Sequence, residues 1–295
     1  MKKIPEHIKR VGLVGNSSKP SCAAAVRHAA KLIRASGRKV FCDEVTASLA
    51  RLEATAQPDV TTLTRQVDLL LVFGGDGTML RVAREIAGSH TPILGINIGG
   101  LGFLTAVSSA ELAGTLNLIW KGQFTYESRT LLEGEAICGQ QRIKATALND
   151  LVINRAATSR LIDLDVAVDD EPLSRYRCDG LILSSPTGST AYSLAAGGAL
   201  VHPTAEVMAL TPISPHTLSN RSLILPISSV VQIRVVNPRP ATVMSADGEM
   251  VCELDQGDTI RIRRSRRTVR MMHPAGSSFY EALRRKLHWR GTNLT

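Results

Sequence analysis

The stretch Val67-Asp68-Leu69-Leu70-Leu71-Val72-Phe73-Gly74-Gly75-Asp76-Gly77-Thr78 decides the reading of this chain. After Asp68 the residues are apolar without a break as far as Phe73, the pattern of a strand buried on both faces of a parallel sheet. Two glycines interrupt it. From Thr78 to Ala87 the spacing becomes helical, with Leu80, Val82, Ala83 and Ile86 facing inward and Gly88 as the stop. Such a strand, loop and helix place the loop beyond the carboxyl end of a strand, where open α/β sheets bind ligands.

Working outward, Arg10 to Gly15 reads as a short buried strand. Ser21 is the expected cap of a helix through Ala35, with Val26, Ala30 and Ile33 at helical spacing and Gly37 as its stop. Lys39 to Cys42 and Ile93 to Ile98 read as further strands. Strands alternating with helices give an open α/β domain. After about residue 120 the period changes from 3.6 to 2. Ile162, Leu164, Val166 and Val168 alternate with Asp163, Asp165 and Ala167, and Asp169-Asp170-Glu171-Pro172 supplies turn chemistry before a returning strand. Val230 to Val236 and Thr259 to Arg264 alternate likewise, so this half is largely antiparallel β. Ser277 to His288 closes the chain as a helix. We expect an α/β domain over residues 1–120, on which the closing helix of residues 277–290 can pack, and a β-rich domain over 121–276.

Glycines in a loop let backbone amides approach phosphate oxygens, and the following helix adds its positive N-terminal end. A carboxylate beside phosphate is repelled unless it has a task. Asp76 therefore takes a proton from an attacking hydroxyl, holds a divalent cation, or merely caps the helix. Other nucleotide-binding signatures do not occur in the sequence. There is no Gly-x-x-x-x-Gly-Lys-Ser/Thr loop, Gly12-Leu13-Val14-Gly15 falls short of the dinucleotide fingerprint, and no His-Arg-Asp loop is found.

At 295 residues and 44% apolar composition the chain has material for two cores and no mark of disorder. Five scattered cysteines (Cys22, Cys42, Cys138, Cys178, Cys252) without a Cys-x-x-Cys pair fit reduced thiols better than a disulfide frame or zinc site. Lys2 and Lys3 precede Pro5, Glu6 and His7 rather than an apolar run, so no signal peptide is read. Two long uncharged stretches, Thr91 to Ala110 and Leu181 to Ala205, carry too many Gly, Pro, Ser and Thr to span lipid. A soluble, cytoplasmic protein is expected. The net charge of +9 sits in residues 261–290, where Arg261, Arg263, Arg264, Arg266, Arg267, Arg270, Arg284, Arg285, Lys286 and Arg290 face Glu281 alone. That patch suits a nucleic-acid or polyphosphate partner, or a solvated strand face and helix. No aromatic platform accompanies it, which argues against nucleic acid.

The second informative run is Ser185-Pro186-Thr187-Gly188-Ser189-Thr190-Ala191-Tyr192-Ser193-Leu194-Ala195-Ala196-Gly197, a small, polar surface of the kind that grips a purine. Gly74-Gly75-Asp76-Gly77-Thr78, Asn97-Ile98-Gly99-Gly100-Leu101-Gly102-Phe103-Leu104, Asn149-Asp150 and the run Pro186 to Gly198, in this order, resemble the signatures of the bacterial NAD kinase family. The resemblance covers nearly the whole chain, and the four motifs together are highly specific.

The resemblance implies a Rossmann-like α/β domain followed by a mainly antiparallel β domain that binds NAD and mediates oligomerisation. It implies transfer of the γ-phosphoryl group of ATP to the 2′-hydroxyl of the adenosine ribose of NAD+. Asp76 would be the proton acceptor at that hydroxyl, and no protein-held metal is expected. Gly77 and Arg81 would lie along the phosphates, and Asn149 and Asp150 would hold ribose hydroxyls and the nucleoside. Arg160, Arg177 and Asp179 match further binding positions, Asp179 serving a neighbouring subunit's site. A basic residue at the place of Arg177 goes with preference for NAD+ over NADH. Thr190, Ala191, Tyr192, Ser193, Leu194 and Ala195 would line the adenine; read bare, Tyr192 would be a core tyrosine. A divalent cation, Mg2+, would travel with ATP, and a homodimer or homotetramer without membrane or nucleic-acid partners is implied. Asp247-Gly248-Glu249 departs from the family's Asp-Gly-Gln, and an ionised glutamate lacks the amide's donor. Two competing readings are a diacylglycerol-type lipid kinase, which shares the Gly-Gly-Asp-Gly loop, and a non-catalytic binder using the basic patch.

Overall fold

The computed structural model describes residues 8–100, 102–105, 107–156, 160–217, 220–237 and 241–289. Leu101 of the second motif, Arg290 of the arginine cluster and the segment holding Lys2, Lys3, Pro5, Glu6 and His7 lie outside them. The chain divides into two units, residues 1–128 with 269–295, and residues 129–268.

The first unit is α/β. Its strands are β1 (Arg10–Gly15), β2 (Lys39–Asp43), β3 (Thr55–Gln57), β4 (Leu69–Gly74), β5 (Ile93–Asn97) and the short β6 (Val107–Ser108). Its helices are α1 (Pro20–Ala35), α2 (Glu44–Ala50), α3 (Val60–Thr64), α4 (Asp76–Glu85) and α5 (Leu112–Trp120). The strands pair in parallel in the order β3-β2-β1-β4-β5, with Val11 opposite Val40 and Leu69, and Leu70 opposite Ile93. The order reverses between β1 and β4, because the chain first winds outward through β2 and β3 and then returns to the other side. That neighbouring pair is the topological switch point of the sheet.

Why these elements form is legible locally. Helix α1 buries Cys22, Val26, Ala29, Ala30 and Ile33, one apolar stripe at helical spacing. It ends where Gly37, at φ +76°, donates its amide to Arg34 and Arg38 donates to Ile33, a Schellman cap. Its N-cap is Lys19, not Ser21 as expected, because Pro20 fixes the first helical turn. Helix α4 likewise starts two residues earlier than its apolar spacing indicates, since Asp76 and Gly77 already form its first turn. Met79 rather than Leu80 is its fully buried residue on that side. The core gathers Val11, Leu13, Ile33, Leu69, Leu71, Phe73, Ile96 and Leu116, all buried. Each such side chain contributes about 1.5–3 kcal/mol of burial.

The second unit is mainly antiparallel β. It contains most of β7 (Phe124–Cys138), then β8 (Gln141–Ala147), β9 (Asp150–Arg155), β10 (Ile162–Val168), β11 (Glu171–Cys178) and β12 (Gly180–Ser184). After the short helix α6 (Tyr192–Ala195) come β13 (Val207–Ile213), β14 (Leu223–Pro226), β15 (Val231–Val235), β16 (Thr242–Ala246), β17 (Glu249–Leu254) and the first part of β18 (Thr259–Pro274). One sheet has the order β14-β13-β12-β9-β16-β17. Facing core residues also come from β10, β15 and β18, where Leu164 is opposite Val235 and Ile233 opposite Ile260. The β10–β11 turn has Asp169 at φ +51° and Asp170 at φ +68°, both positive, as a two-residue hairpin loop requires.

The last part of β18, from Val269, belongs to the first unit, where Met271 pairs in parallel with Ile93, and helix α7 (Phe279–Lys286) follows. Of the arginine cluster, Arg263 pairs with Glu133 at 2.7 Å and Arg264 with Glu206 at 2.6 Å on the solvated face of β18. Among the described residues no helix is long and apolar enough to cross a membrane.

Candidate active site

Two groups of residues form, one in each unit. In the first, the loops after β1 and β4 lie side by side at the switch point. Asn16 donates from its backbone amide to the Phe73 carbonyl at 3.0 Å and from its side-chain amide to Thr78 Oγ1 at 3.0 Å. Gly74 is packed so tightly that a Cβ there would lie 2.3 Å from Thr78 Oγ1. Around Gly77 there is open space instead. Thr78 N donates to the Gly75 carbonyl at 3.0 Å, while the amides of Asp76 and Gly77, ahead of it in the first turn of α4, lie at the positive end of the helix dipole beside this opening.

Asp76 is not the cap; Gly75 is. The Asp76 carboxylate is gripped from the opposite side by the segment after Gly102. Phe103 N donates to Oδ2 at 2.8 Å, and Leu104 N and Thr105 Oγ1 donate to Oδ1 at 3.0 and 3.2 Å. Thr105, fully buried, in turn accepts from Asn97 Nδ2 at 3.0 Å, and Asn97 ties the loop through Gly100 O at 2.7 Å and Gly99 N at 2.6 Å. A Cβ on Gly102 would lie 1.9 Å from Asp76 Oδ1, so only glycine lets the segment close on the carboxylate. Oδ2 takes one of these bonds and keeps a second lone pair for a hydroxyl proton. Arg81, one turn along α4, pairs with Glu85 at 2.7 Å and is partly exposed.

The second group lies at one end of the β9–β12 pair. Asp150 begins β9 opposite Ser184, and Asn149, just before it, accepts from Ser185 N at 2.8 Å. Asp247 holds this turn: its carboxylate accepts from the amides of Leu148 at 3.0 Å, Asn149 at 2.7 Å and Asp150 at 3.3 Å. It can do so because Asp247 and Gly248 both take positive φ, +50° and +82°, in the tight turn between β16 and β17. Gly188 rests on the same turn, since a Cβ on it would lie 2.1 Å from the Asn149 carbonyl oxygen. Asp150 is 4% exposed, and burial, reinforced by the charge of Asp247, pushes its carboxyl up to about 7.

Thr190 to Ala195 follow Gly188. Thr190 Oγ1 donates to the Thr187 carbonyl at 3.1 Å, while Ala191, Leu194 and Ala195 are partly or fully exposed. Ser193 is buried, its hydroxyl 3.1 Å from Thr211 Oγ1, so it presents backbone rather than side chain. Tyr192 is 42% exposed, which removes the core-tyrosine reading and leaves its ring open for stacking.

Arg177 and Asp179 are not brought to Asp150. Asp150 pairs with Ser184 at one end of β12, while Gly180, next to Asp179, pairs with Asn154 at the other. At the strand rise of about 3.3 Å per residue the two ends are roughly 13 Å apart. Asp179 accepts from Arg155 Nε; Arg177 is 3.9 Å from Asp163 with most of its side chain in solvent, and Arg160 is exposed. Sequence reasoning missed Asn16, Thr105 and the holding role of Asp247. The available signals were a polar loop directly after β1 and an Asp-Gly turn between two alternating strands.

The first unit matches the family model of the ATP-NAD kinase N-terminal domain over residues 11–124, and the second that of the ATP-NAD kinase C-terminal domain over residues 148–274. The chain is 40% identical to the NAD kinase of Thiobacillus denitrificans over 287 residues, 97% of this chain and 98% of that protein. The crystal structure of yeast NADH kinase complexed with NADH superposes with a TM-score of 0.88 at 26% identity, covering 98% of this chain and 90% of that one. An NAD kinase from Archaeoglobus fulgidus in complex with ATP shares the fold, with a TM-score of 0.72 at 23% identity over 96% of this chain and 100% of that one. On both sequence models and at this level of identity, the chain belongs to the ATP-NAD kinase family.

Proposed function

We propose that Asp76 is the general base of an NAD kinase reaction, and the observation that carries this is its grip by Phe103, Leu104 and Thr105 beside an open glycine loop. The activity follows from family membership: the chain is an NAD kinase, which transfers the γ-phosphoryl group of ATP to the 2′-hydroxyl of the adenosine ribose of NAD+, giving NADP+ and ADP. Asp76 takes the proton as the ribose oxygen forms its bond to the γ-phosphorus and the bond to the bridging oxygen of ADP breaks. The transition state of phosphoryl transfer is loose, so positioning and charge supply most of the acceleration. The amides at the start of α4, with Gly77, and the Arg81 guanidinium serve the phosphates.

Asn149 and Asp150 hold the nucleoside's ribose hydroxyls, and Thr190 to Ala195 line the adenine with Tyr192 stacking. Arg160, Arg177 and Asp179 serve further NAD-binding positions, Asp179 in the site of a neighbouring copy in a homodimer or homotetramer. Mg2+ enters as part of the ATP substrate. The phosphate oxygens hold the ion. The scattered, unpaired cysteines support a cytoplasmic location. Formation of NADP+ from NAD+, ATP and Mg2+, read by an NADP-dependent dehydrogenase, tests the activity. ADP release only on a lipid acceptor would instead favour the lipid-kinase reading.

A further inference from the structure

Lys19 has no part in the reading above, yet it occupies a telling place. It is the last residue before α1 and belongs to the loop after β1 at the switch point. Its Nζ lies 4.0 Å from where a Cβ on Gly75 would sit and 3.7 Å from where one on Gly99 would sit. The ammonium group is therefore suspended between the Gly74–Gly77 loop and the loop after β5, close to Gly75 and Gly99. Among the described residues it forms no ion pair, although it is a cation beside the positive ends of two helices, α1 and α4. That arrangement is unfavourable until an anion arrives.

The loop that carries Lys19 is built to stay in place. Asn16 bonds Thr78 and Phe73, Asn16 Oδ1 accepts from Ser18 N at 2.9 Å, and Lys19 N donates to Asn16 O at 3.2 Å. Pro20 then fixes the start of α1. The exposed Lys19 side chain makes no capping bond, so its substitution leaves the helix start intact.

We propose that Lys19 binds the triphosphate of the donor nucleotide at its transferring end. This rests on the NAD kinase reading. For transfer to occur, the γ-phosphorus must approach the acceptor oxygen to about 3–3.5 Å, and that oxygen gives its proton to Asp76. The γ-phosphate therefore lies at the Gly75–Asp76 loop, where the Lys19 ammonium stands. A lysine meets phosphate as a point charge, which suits a group whose charge is spread over three oxygens.

The test compares Lys19→Met, of similar length without charge, and Lys19→Arg with wild type in steady-state kinetics, varying ATP and NAD+ separately. Thermal melting accompanies each. Lys19→Met is expected to lower kcat/KM for ATP by about 10²-fold, the usual cost of removing one charge-stabilising donor. KM for NAD+ and the melting temperature should stay near wild type, and Lys19→Arg should recover part of the loss. Unchanged ATP kinetics in Lys19→Met, or a loss confined to KM for NAD+, overturns the proposal. So does an equal loss in Lys19→Arg and Lys19→Met. A wild-type protein that forms no NADP+ would instead overturn the reading of the reaction itself.

Discussion

Gly102 and Asp76 pack so closely that a methyl group on Gly102 would lie 1.9 Å from Asp76 Oδ1 and 2.6 Å from its Cγ. The carboxylate that we assign as the base thus owes its position to a residue with no side chain. Gly102→Ala must push either the carboxylate or the 102–105 segment aside. A displacement of about 1 Å at a reacting group costs on the order of 10²-fold in rate. We expect kcat to fall by about that factor with KM for NAD+ little changed, and steady-state kinetics will show it. Wild-type kcat in Gly102→Ala would mean that the grip on Asp76 is not used in turnover.

Gly188 has the same relation to the nucleoside side of the chemistry. Its hypothetical Cβ meets the Asn149 backbone at 2.1 Å, and backbone cannot swing away as a side chain does. Gly188→Ala should destabilise the fold by about 1–3 kcal/mol, as overpacking does, and should raise KM for NAD+ more than KM for ATP. Chemical denaturation and the two KM values check both parts. Equal effects on the two substrates would detach Gly188 from the NAD+ role.

Asp150 carries a pH signature. Burial, then the Asp247 charge, raises its carboxyl to about 7, so between roughly pH 4 and 7 the folded chain keeps a proton that the unfolded chain has released. The sign is that stability from this group is full below the unfolded value of 3.8 and declines as pH rises toward 7. Asp150→Asn removes the decline. Its melting temperature relative to wild type should therefore increase from pH 5 to pH 8, while NAD+ binding weakens. A melting difference that is flat across that range contradicts the assignment.

Arg177 is mostly solvated and only loosely paired with Asp163, so its charge is available to a ligand. Arg177→Ala should reduce the preference for NAD+ over NADH, by up to about fivefold on the ~1 kcal/mol that an exposed charge contributes. The ratio of kcat/KM for the two nucleotides measures this. An unchanged ratio would remove Arg177 from discrimination.

How much of this is legible in the sequence depends on the range of the signal. The run Leu69–Phe73 and the alternation Ile162–Val168 announce their strands because burial on two faces or one writes the period directly. Helices α2 and α3 escape a reading by periodicity. They are short, and their signals are the single caps Asp43, accepting from Thr46 N, and Asp59, accepting from Thr62 N. At the start of α1 the capping propensity of Ser21 points one way and Pro20 the other, and the proline prevails. The glycine loop and Asp76 are visible as a motif, but the reason Asp76 stays in place is not local. Phe103, Leu104 and Thr105 are 27 to 29 residues away, and only the parallel pairing of β4 with β5 brings them back. Asp247 reaches Asn149 across 98 residues for the same kind of reason, the pairing of β16 with β9. Lys19 is invisible in the sequence because its loop has no motif; the strand order gives it meaning.

The most direct measurement is the turnover of Asp76→Asn beside its NAD+ affinity. An asparagine keeps the size and one acceptor oxygen but cannot take the ribose proton. We expect kcat for NADP+ formation to fall by roughly 10²–10⁴-fold, the usual worth of a general base, with NAD+ dissociation close to wild type. A variant that turns over at near the wild-type rate would show that Asp76 is not the base.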